Sequence, residues 1–242
     1  MRPSAEAIFE TLDVTWPAVR TEFHDGWRLR VGAGGGKRVS AATAEPDAEA
    51  PEIALAETHM RGLGQNPLFM IRPGECELDR RLERRGYDLV DPVTTFACEC
   101  ASLAAPASPA QAFEAWPPLA VQTEIWAEGG VGPKRIDIMR RAACPRTTLL
   151  GRAGDRPAST AYVGLDGEIA MLHALETRAP LRRQGAGRCL MHVAAHWAER
   201  RGARWLTLAV VTDNRAATSL YADLGMIPVT EYHYRVAKEV PR

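Results

Sequence analysis

The segment Arg182-Arg-Gln-Gly-Ala-Gly187 follows an apolar run over 169–175 and precedes an amphipathic run that ends near Arg201. That order reads as strand, glycine loop, helix. Such a loop leaves backbone N–H groups unpaired at a helix N-terminus, where the helix dipole also favours negative charge. The ligand it suits is a phosphate or pyrophosphate. Gly185 and Gly187 let the backbone come close to such a group, and Arg182, Arg183 and Arg188 add cations beside it. A plain tight turn into a helix also uses glycine, so the flanking sequence has to separate the two readings.

The elements around the loop are those of a packed α/β unit. Cys189, Leu190, Val193, Ala194 and Trp197 form one stripe at helical spacing, and Gly202 stands where a C-capping glycine belongs. The run over 205–211 is almost continuously apolar and of strand length, as a strand covered on both faces requires. A turn at Thr212-Asp213-Asn214 leads into a short helix that a glycine stops at Gly225, and 227–236 reads as the closing strands.

With these elements in order, the chain resembles the GNAT superfamily of acetyl-CoA-dependent N-acetyltransferases. The pyrophosphate-loop signature, Arg/Gln-x-x-Gly-x-Gly/Ala, is matched by Arg182 to Gly187. The second signature, Asn-x-x-Ala with Tyr four residues on, is matched by Asn214, Ala217 and Tyr221, followed by Leu224-Gly225. The approach to the loop, Leu175-Glu-Thr-Arg-Ala-Pro180, also has the family's pattern. The likeness covers the chain from about Trp116 onward. It implies an α/β (α+β) GNAT fold with a mixed, mostly antiparallel central sheet flanked by helices. It implies an acyltransferase with acetyl-CoA as cosubstrate and no metal.

By the resemblance, acetyl-CoA is held by Arg182, Arg183, Gln184, Gly185, Ala186, Gly187 and Arg188, with Asn214, Ala217 and Tyr221 from the second motif. A break in strand pairing at Leu175, Glu176 and Thr177 would turn backbone N–H groups towards the pantetheine and the acetyl carbonyl. Tyr221 takes the role of general acid to the coenzyme A sulfur.

The general base has several candidates. A protonated amine, with a pKa near ~10.4 for a lysine-like acceptor, cannot attack a thioester until a proton is removed. Many family members carry a Glu on the strand before the loop, but here the corresponding position is Met171. His173, two residues on and on the same strand face, is the first candidate, being the side-chain type that ordinarily titrates nearest neutrality. Glu176 on the opposite face, and Glu124 or Glu128 on the preceding helical segment, are rivals acting through water.

Thirty basic and thirty acidic residues among 242 cancel, so no bulk field draws the chain to nucleic acid or an anionic membrane. The expected partners are acetyl-CoA and an amine acceptor, with the chain a monomer or homodimer. Five scattered cysteines without zinc spacing read as reduced thiols, and no run nears the ~20 apolar residues of a membrane span. A cytoplasmic protein is expected.

The small-residue and proline stretch within 101–112 reads as a linker between a domain at 1–100 and the catalytic domain at 113–242. The first domain shows helices near 6–12, 51–62 and 77–85, and strands near 26–31, 38–43, 67–72 and 87–100. Leu82-Glu-Arg-Arg-Gly86 before Pro92-Val-Thr94 echoes Tyr221-Ala-Asp-Leu-Gly225 before Pro228-Val-Thr230. Leu82 then stands in place of Tyr221 and no phosphate loop is present, so a tandem arrangement is expected in which the first half is GNAT-like but degenerate.

Other features are discounted. Gly32-Ala-Gly-Gly-Gly-Lys37 lacks phosphate-loop spacing and reads as a hairpin turn. His192 and His196 lie one turn apart without the Glu of a zinc-protease helix, and read as helix-surface residues. His233, between Tyr232 and Tyr234, borders the acceptor site at most. Trp116 and Trp126 could line an amine pocket with Glu124 and Glu128, against an ordinary use as core. The alternative to an enzyme is a non-catalytic acyl-CoA-binding module that keeps the loop for ligand sensing.

Overall fold

The structure, a computed structural model, describes residues 2–238. In chain order it runs α1 (Ala5–Thr15), β1 (Arg20–His24), β2 (Trp27–Val31), β3 (Thr43–Ala44), α2 (Ile53–Gly62), β4 (Leu68–Ile71), α3 (Cys76–Arg84), β5 (Asp88–Glu99) and α4 (Cys100–Leu103). It continues through β6 (Ala112–Ala115), α5 (Ala120–Glu128), α6 (Pro133–Arg141), β7 (Arg146–Ala153), β8 (Arg156–Asp166) and β9 (Ile169–Thr177). The last elements are α7 (Ala186–Glu199), β10 (Trp205–Val211), α8 (Arg215–Asp223) and β11 (Ile227–Val236). No helix among the described residues is long and apolar enough to cross a membrane.

The chain divides into two compact units. The first comprises 2–17, 95–210 and 214–229, and the second 18–94, 211–213 and 230–238. These borders differ from a cut at 101–112. The stretch expected to carry neither helix nor strand does so only over 104–111, because Cys100 and Leu103 bury their side chains as α4 and Ala112 already pairs in β6.

In the first unit the strand order is β10-β9-β8-β7-β6. The hairpins β6/β7, β7/β8 and β8/β9 are antiparallel, whereas β10 runs parallel to β9, so the sheet is mixed. Helix α7 lies along one face with Leu190, Val193, Ala194 and Trp197 buried against Ala161, Val163, Leu172, Leu206 and Leu208. Each large apolar side chain removed from water in this way contributes roughly 1.5–3 kcal/mol. The helix ends at Gly202, whose φ of +85° is a conformation that glycine adopts without cost. On the other face, methyl positions of Thr15 in α1 fill the space above Gly164.

In the second unit β1, β2 and β3 form an antiparallel sheet, β4 pairs antiparallel with 233–236 of β11, and Trp27, Met60, Phe69, Leu82 and Tyr87 share one core. The segment expected as a strand over 38–43 is instead a short 3-10 turn, Lys37–Val39, followed by the two residues of β3. Only Trp27 and Arg28 pair back to Ala44 and Thr43, so the glycine-rich segment opens a broad connection rather than a tight hairpin turn. β1 went unread because its alternation of charged and aromatic residues lies almost wholly exposed.

The guanidinium of Arg235, 6% exposed, donates to both carboxylate oxygens of Asp79 (2.7 and 3.1 Å) and to the Tyr87 carbonyl. His233 Nε2 adds a bond of 2.8 Å to Asp79 Oδ1, which gives this histidine a structural partner in the second unit. The hydrogen bonds from Arg235, with those from His233, hold the Asp79 carboxyl below the usual carboxylate range. That stabilisation is present above the ordinary carboxylate pKa of about 3.9 and fades as pH falls through the lower folded-state value. Asp79→Ala should leave the buried Arg235 with the longer, 3.6 Å pairing to the exposed Glu83 carboxylate in place of its bidentate partner, costing about 3 kcal/mol and lowering Tm by about 10 °C at pH 7, as followed by thermal denaturation.

Candidate functional site

Strand β9 carries one residue more than its neighbour requires. Tyr162 pairs with His173 and Thr160 with Glu176, so Ala174 and Leu175 together oppose the single residue Ala161. Ala174 takes a left-handed φ of +50°, unusual for a residue with a Cβ. Its carbonyl accepts a hydrogen bond of 2.8 Å from the indole N–H of fully buried Trp126. On the other edge, pairing with β10 covers Ile169 to Leu172 and goes no further. Beyond that point the pairing of the two parallel strands ends, and alternate N–H groups of β9 face that edge, whereas Glu176, in register with Thr160 two residues before the bond from the Arg178 N–H to the Ala158 carbonyl, turns its N–H to β8.

The bulge shifts the alternation of side chains by one. Glu176 therefore shares the face of His173 rather than lying on the opposite one, since the expectation of opposite faces assumed an unbroken period of two. Leu175 packs against the α7 core, as that parity demands.

Glu176 sits hard against the end of α5, where a methyl group on Gly129 would lie 2.5 Å from its carboxylate. Burial pushes its carboxyl up from the ordinary value, opposed by the cations Arg182 and Arg135. Tyr221 on α8 is buried, and its hydroxyl is pushed up to about 12, first by burial and then by the negative charge of Glu176. The phenol thus senses the carboxylate.

His173 is buried, with its ring stacked on Trp16 at 4.9 Å. The Thr15 hydroxyl donates its one proton to the Thr11 carbonyl (2.7 Å), so across the 2.9 Å contact to His173 it is Nε2–H that donates to Thr15. The ring thereby fastens α1 to β9. Glu124 and Glu128 form exposed ion pairs with Arg178 at 3.6 and 3.1 Å. Trp126 is core, whereas Trp116 is more than one-third exposed and lies beneath the Arg146 guanidinium at 4.6 Å.

After β9 a 3-10 turn, Ala179–Leu181, delivers the arginine-glycine loop. Arg183 and Gly185 take positive φ values of +59° and +83°, and Gly185 caps α7. Bonding within the helix begins with the Cys189 N–H on the Gly185 carbonyl, so the N–H groups of Ala186, Gly187 and Arg188 point out of its N-terminus. Gly187 keeps the helix start close to β9, where its Cβ position lies 3.6 Å from Thr177 Oγ1. Arg182 bonds the Thr177 carbonyl and Arg188 pairs with Asp223. Asn214 has a local duty as the N-cap of α8, accepting from the Ala217 N–H at 3.2 Å. His192, expected on the helix surface, is half-buried with Nδ1 2.8 Å from the Leu103 carbonyl.

An outward-facing helix N-terminus with positive-φ backbone and three arginines suits a pyrophosphate, and a strand edge beyond the end of its pairing suits an amide-bearing arm. The residues therefore fit acetyl-CoA. Sequence reasoning missed Gly129 and the bond from Trp126, because neither residue type in isolation signals a partner about 50 positions away.

Residues 109–226 match the acetyltransferase (GNAT) family. It is 26% identical over 234 residues to the uncharacterized N-acetyltransferase YobR of Bacillus subtilis (strain 168), covering 93% of this chain and 95% of YobR. Its fold is similar to a GCN5-related N-acetyltransferase from Kribbella flavida, with a TM-score of 0.72, 20% identity, and coverage of 98% and 96%. It is also similar to a tandem GNAT protein from the clavulanic acid biosynthesis pathway, with a TM-score of 0.60, 16% identity, and coverage of 84% and 76%.

Gly129→Ala should push the Glu176 carboxylate out towards water. The burial that raises its pKa is then lost, so an NMR titration of the Glu176 side-chain carboxyl should report a lower value than in the parent protein.

Proposed function

We propose that the chain transfers the acetyl group of acetyl-CoA to a primary amine of a small molecule or peptide by direct attack, with Glu176 as general base and Tyr221 as general acid. The observation that carries this reading is the β9 bulge, which brings a carboxylate with a raised pKa into electrostatic contact with a buried phenol beside the arginine-glycine loop. His173, held by Thr15 and Trp16, serves the packing of α1 in this reading.

Acetyl-CoA supplies an activated thioester carbonyl. Glu176 accepts a proton from the ammonium form of the acceptor, directly or through water, and the free amine forms the new C–N bond. The N–H groups of Leu175 and Thr177, on the β9 edge away from β8, hold the pantetheine arm and the carbonyl oxygen as negative charge gathers there. As the C–S bond breaks, Tyr221 donates its O–H to the departing sulfur. A hydroxyl at about 12 is a weaker acid than an ordinary thiol near ~8.5, so its donation begins as a charge-assisted hydrogen bond. Once Glu176 has taken the amine's proton, the charge that raises the phenol's pKa is gone, which eases the second proton transfer. At the loop, Arg182, Arg183 and Arg188 with the N–H groups of 185–188 hold the pyrophosphate, and Gln184, Asn214 and Ala217 shape the loop and the α8 N-terminus.

We further propose that the second unit derives from a degenerate GNAT-like half within 1–100, forming a tandem protein that works in the cytoplasm. Helices α3 and α8 support this: each has 9 residues and is stopped by a glycine, at φ +81° and +75°. Each is followed by a residue whose N–H returns to the helix, Tyr87 to Leu82 and Met226 to Tyr221, at 3.1 and 3.0 Å. Leu82 occupies the place of the phenol, so that half has no acid.

Thiol release from acetyl-CoA, measured across amines, amino acids, polyamines and lysine-bearing peptides, tests the reaction. One amine class should support turnover. Tyr221→Phe and Glu176→Gln should each lower kcat by about 10²- to 10⁴-fold with little change in affinity for acetyl-CoA. Glu176→Gln should also remove the rise of rate with pH through the raised carboxyl pKa. Stabilisation by acetyl-CoA with no turnover on any amine would instead favour a binding module.

A further inference from the structure

The bulge in β9 needs an explanation of its own, because Ala174 holds a left-handed φ without being glycine. The residue that touches it is Trp126, 0% exposed, whose N–H meets the Ala174 carbonyl at 2.8 Å. The indole N–H, on a fully buried side chain, has no water to turn to when that carbonyl is withdrawn.

Helix α5, which carries the indole, is itself fastened at both ends. Near its start Gln122, fully buried, accepts from the Leu119 N–H (2.9 Å) and the Thr148 hydroxyl (3.1 Å) and donates to the Thr160 hydroxyl (3.2 Å). At its end Glu128 grips Arg178, the residue that follows β9. Thr160 is also the strand partner of Glu176. The indole is thus mounted on a helix registered to both strands flanking the bulge.

We infer that Trp126 is a positioning residue for acetyl transfer: its indole N–H, donated to the Ala174 carbonyl, fixes the bulge that directs the edge N–H groups of β9 after it and aims Glu176. The apolar body of the ring fills the core in any case. The N–H adds the direction in which the Ala174 peptide points. This inference rests on the proposed reading of those N–H groups and of Glu176.

The full chain with Trp126→Phe keeps an aromatic ring and loses only the donor and part of the ring volume. Its affinity for acetyl-CoA should fall about 10-fold by calorimetry, and kcat should fall by about 10- to 100-fold on the amine that the thiol-release panel identifies. Adding Ala174→Gly should restore most of both, since glycine adopts the left-handed φ unaided. Parental affinity and kcat in Trp126→Phe would overturn the inference. So would a loss that Ala174→Gly leaves untouched, as a purely structural role predicts. Should Trp126→Phe fail to fold, Ala174→Val strains the same peptide and leaves the indole in place, and parental kinetics there would equally overturn it. Glu176→Gln run alongside separates the two ideas. If it turns over at the parental rate, the base assignment falls, while weakened acetyl-CoA binding by Trp126→Phe still supports the positioning role.

Discussion

One extra residue in β9 governs the geometry of everything near it. Had β9 kept a strict period of two, Glu176 would have pointed into the α7 core and paid the cost of burying a carboxylate among apolar side chains. With Ala174 and Leu175 sharing a single register position, the carboxylate turns to the face of Tyr162 and His173 while Leu175 takes the apolar side. Pairing with β10 ends at Leu172, two residues before the irregularity.

Two helices then meet this part of β9 from different sides. Helix α7 approaches with its N-terminus, offering backbone N–H groups and the arginines of the preceding loop. Helix α5 approaches with its C-terminal turn, where the lack of a side chain at Gly129 makes room for the carboxylate. Burial raises the proton affinity of Glu176 and Tyr221 alike, and the phenol also senses the charge on the carboxylate.

The loop, its helix, the strand after it and the second signature were legible in the residues because each rests on local periodicity and on glycines that fix backbone conformation. The α7 stripe buries as its spacing requires, and Gly185 and Gly225 both adopt positive φ. What escaped was whatever depends on register between distant strands. The face of Glu176 could not be counted correctly without the bulge, and the bulge leaves no mark in a sequence where its left-handed residue is an alanine. The compact units likewise interleave, since residues 2–17 belong with a body that otherwise begins at Thr95, and composition around 101–112 carries no trace of that. His173 looked equally suited to chemistry and to packing until its partner, Thr15, was in view.

That bond between Thr15 and His173 joins residues 158 positions apart. On the ribosome, at roughly 5–20 residues per second, α1 waits on the order of 10–30 s before its partner strand has been made. Its buried face, including Ile8, Phe9 and Leu12, stays uncovered for that interval. Helix α1 thus waits for strands made much later along the chain, and the body that carries the arginine-glycine loop closes late.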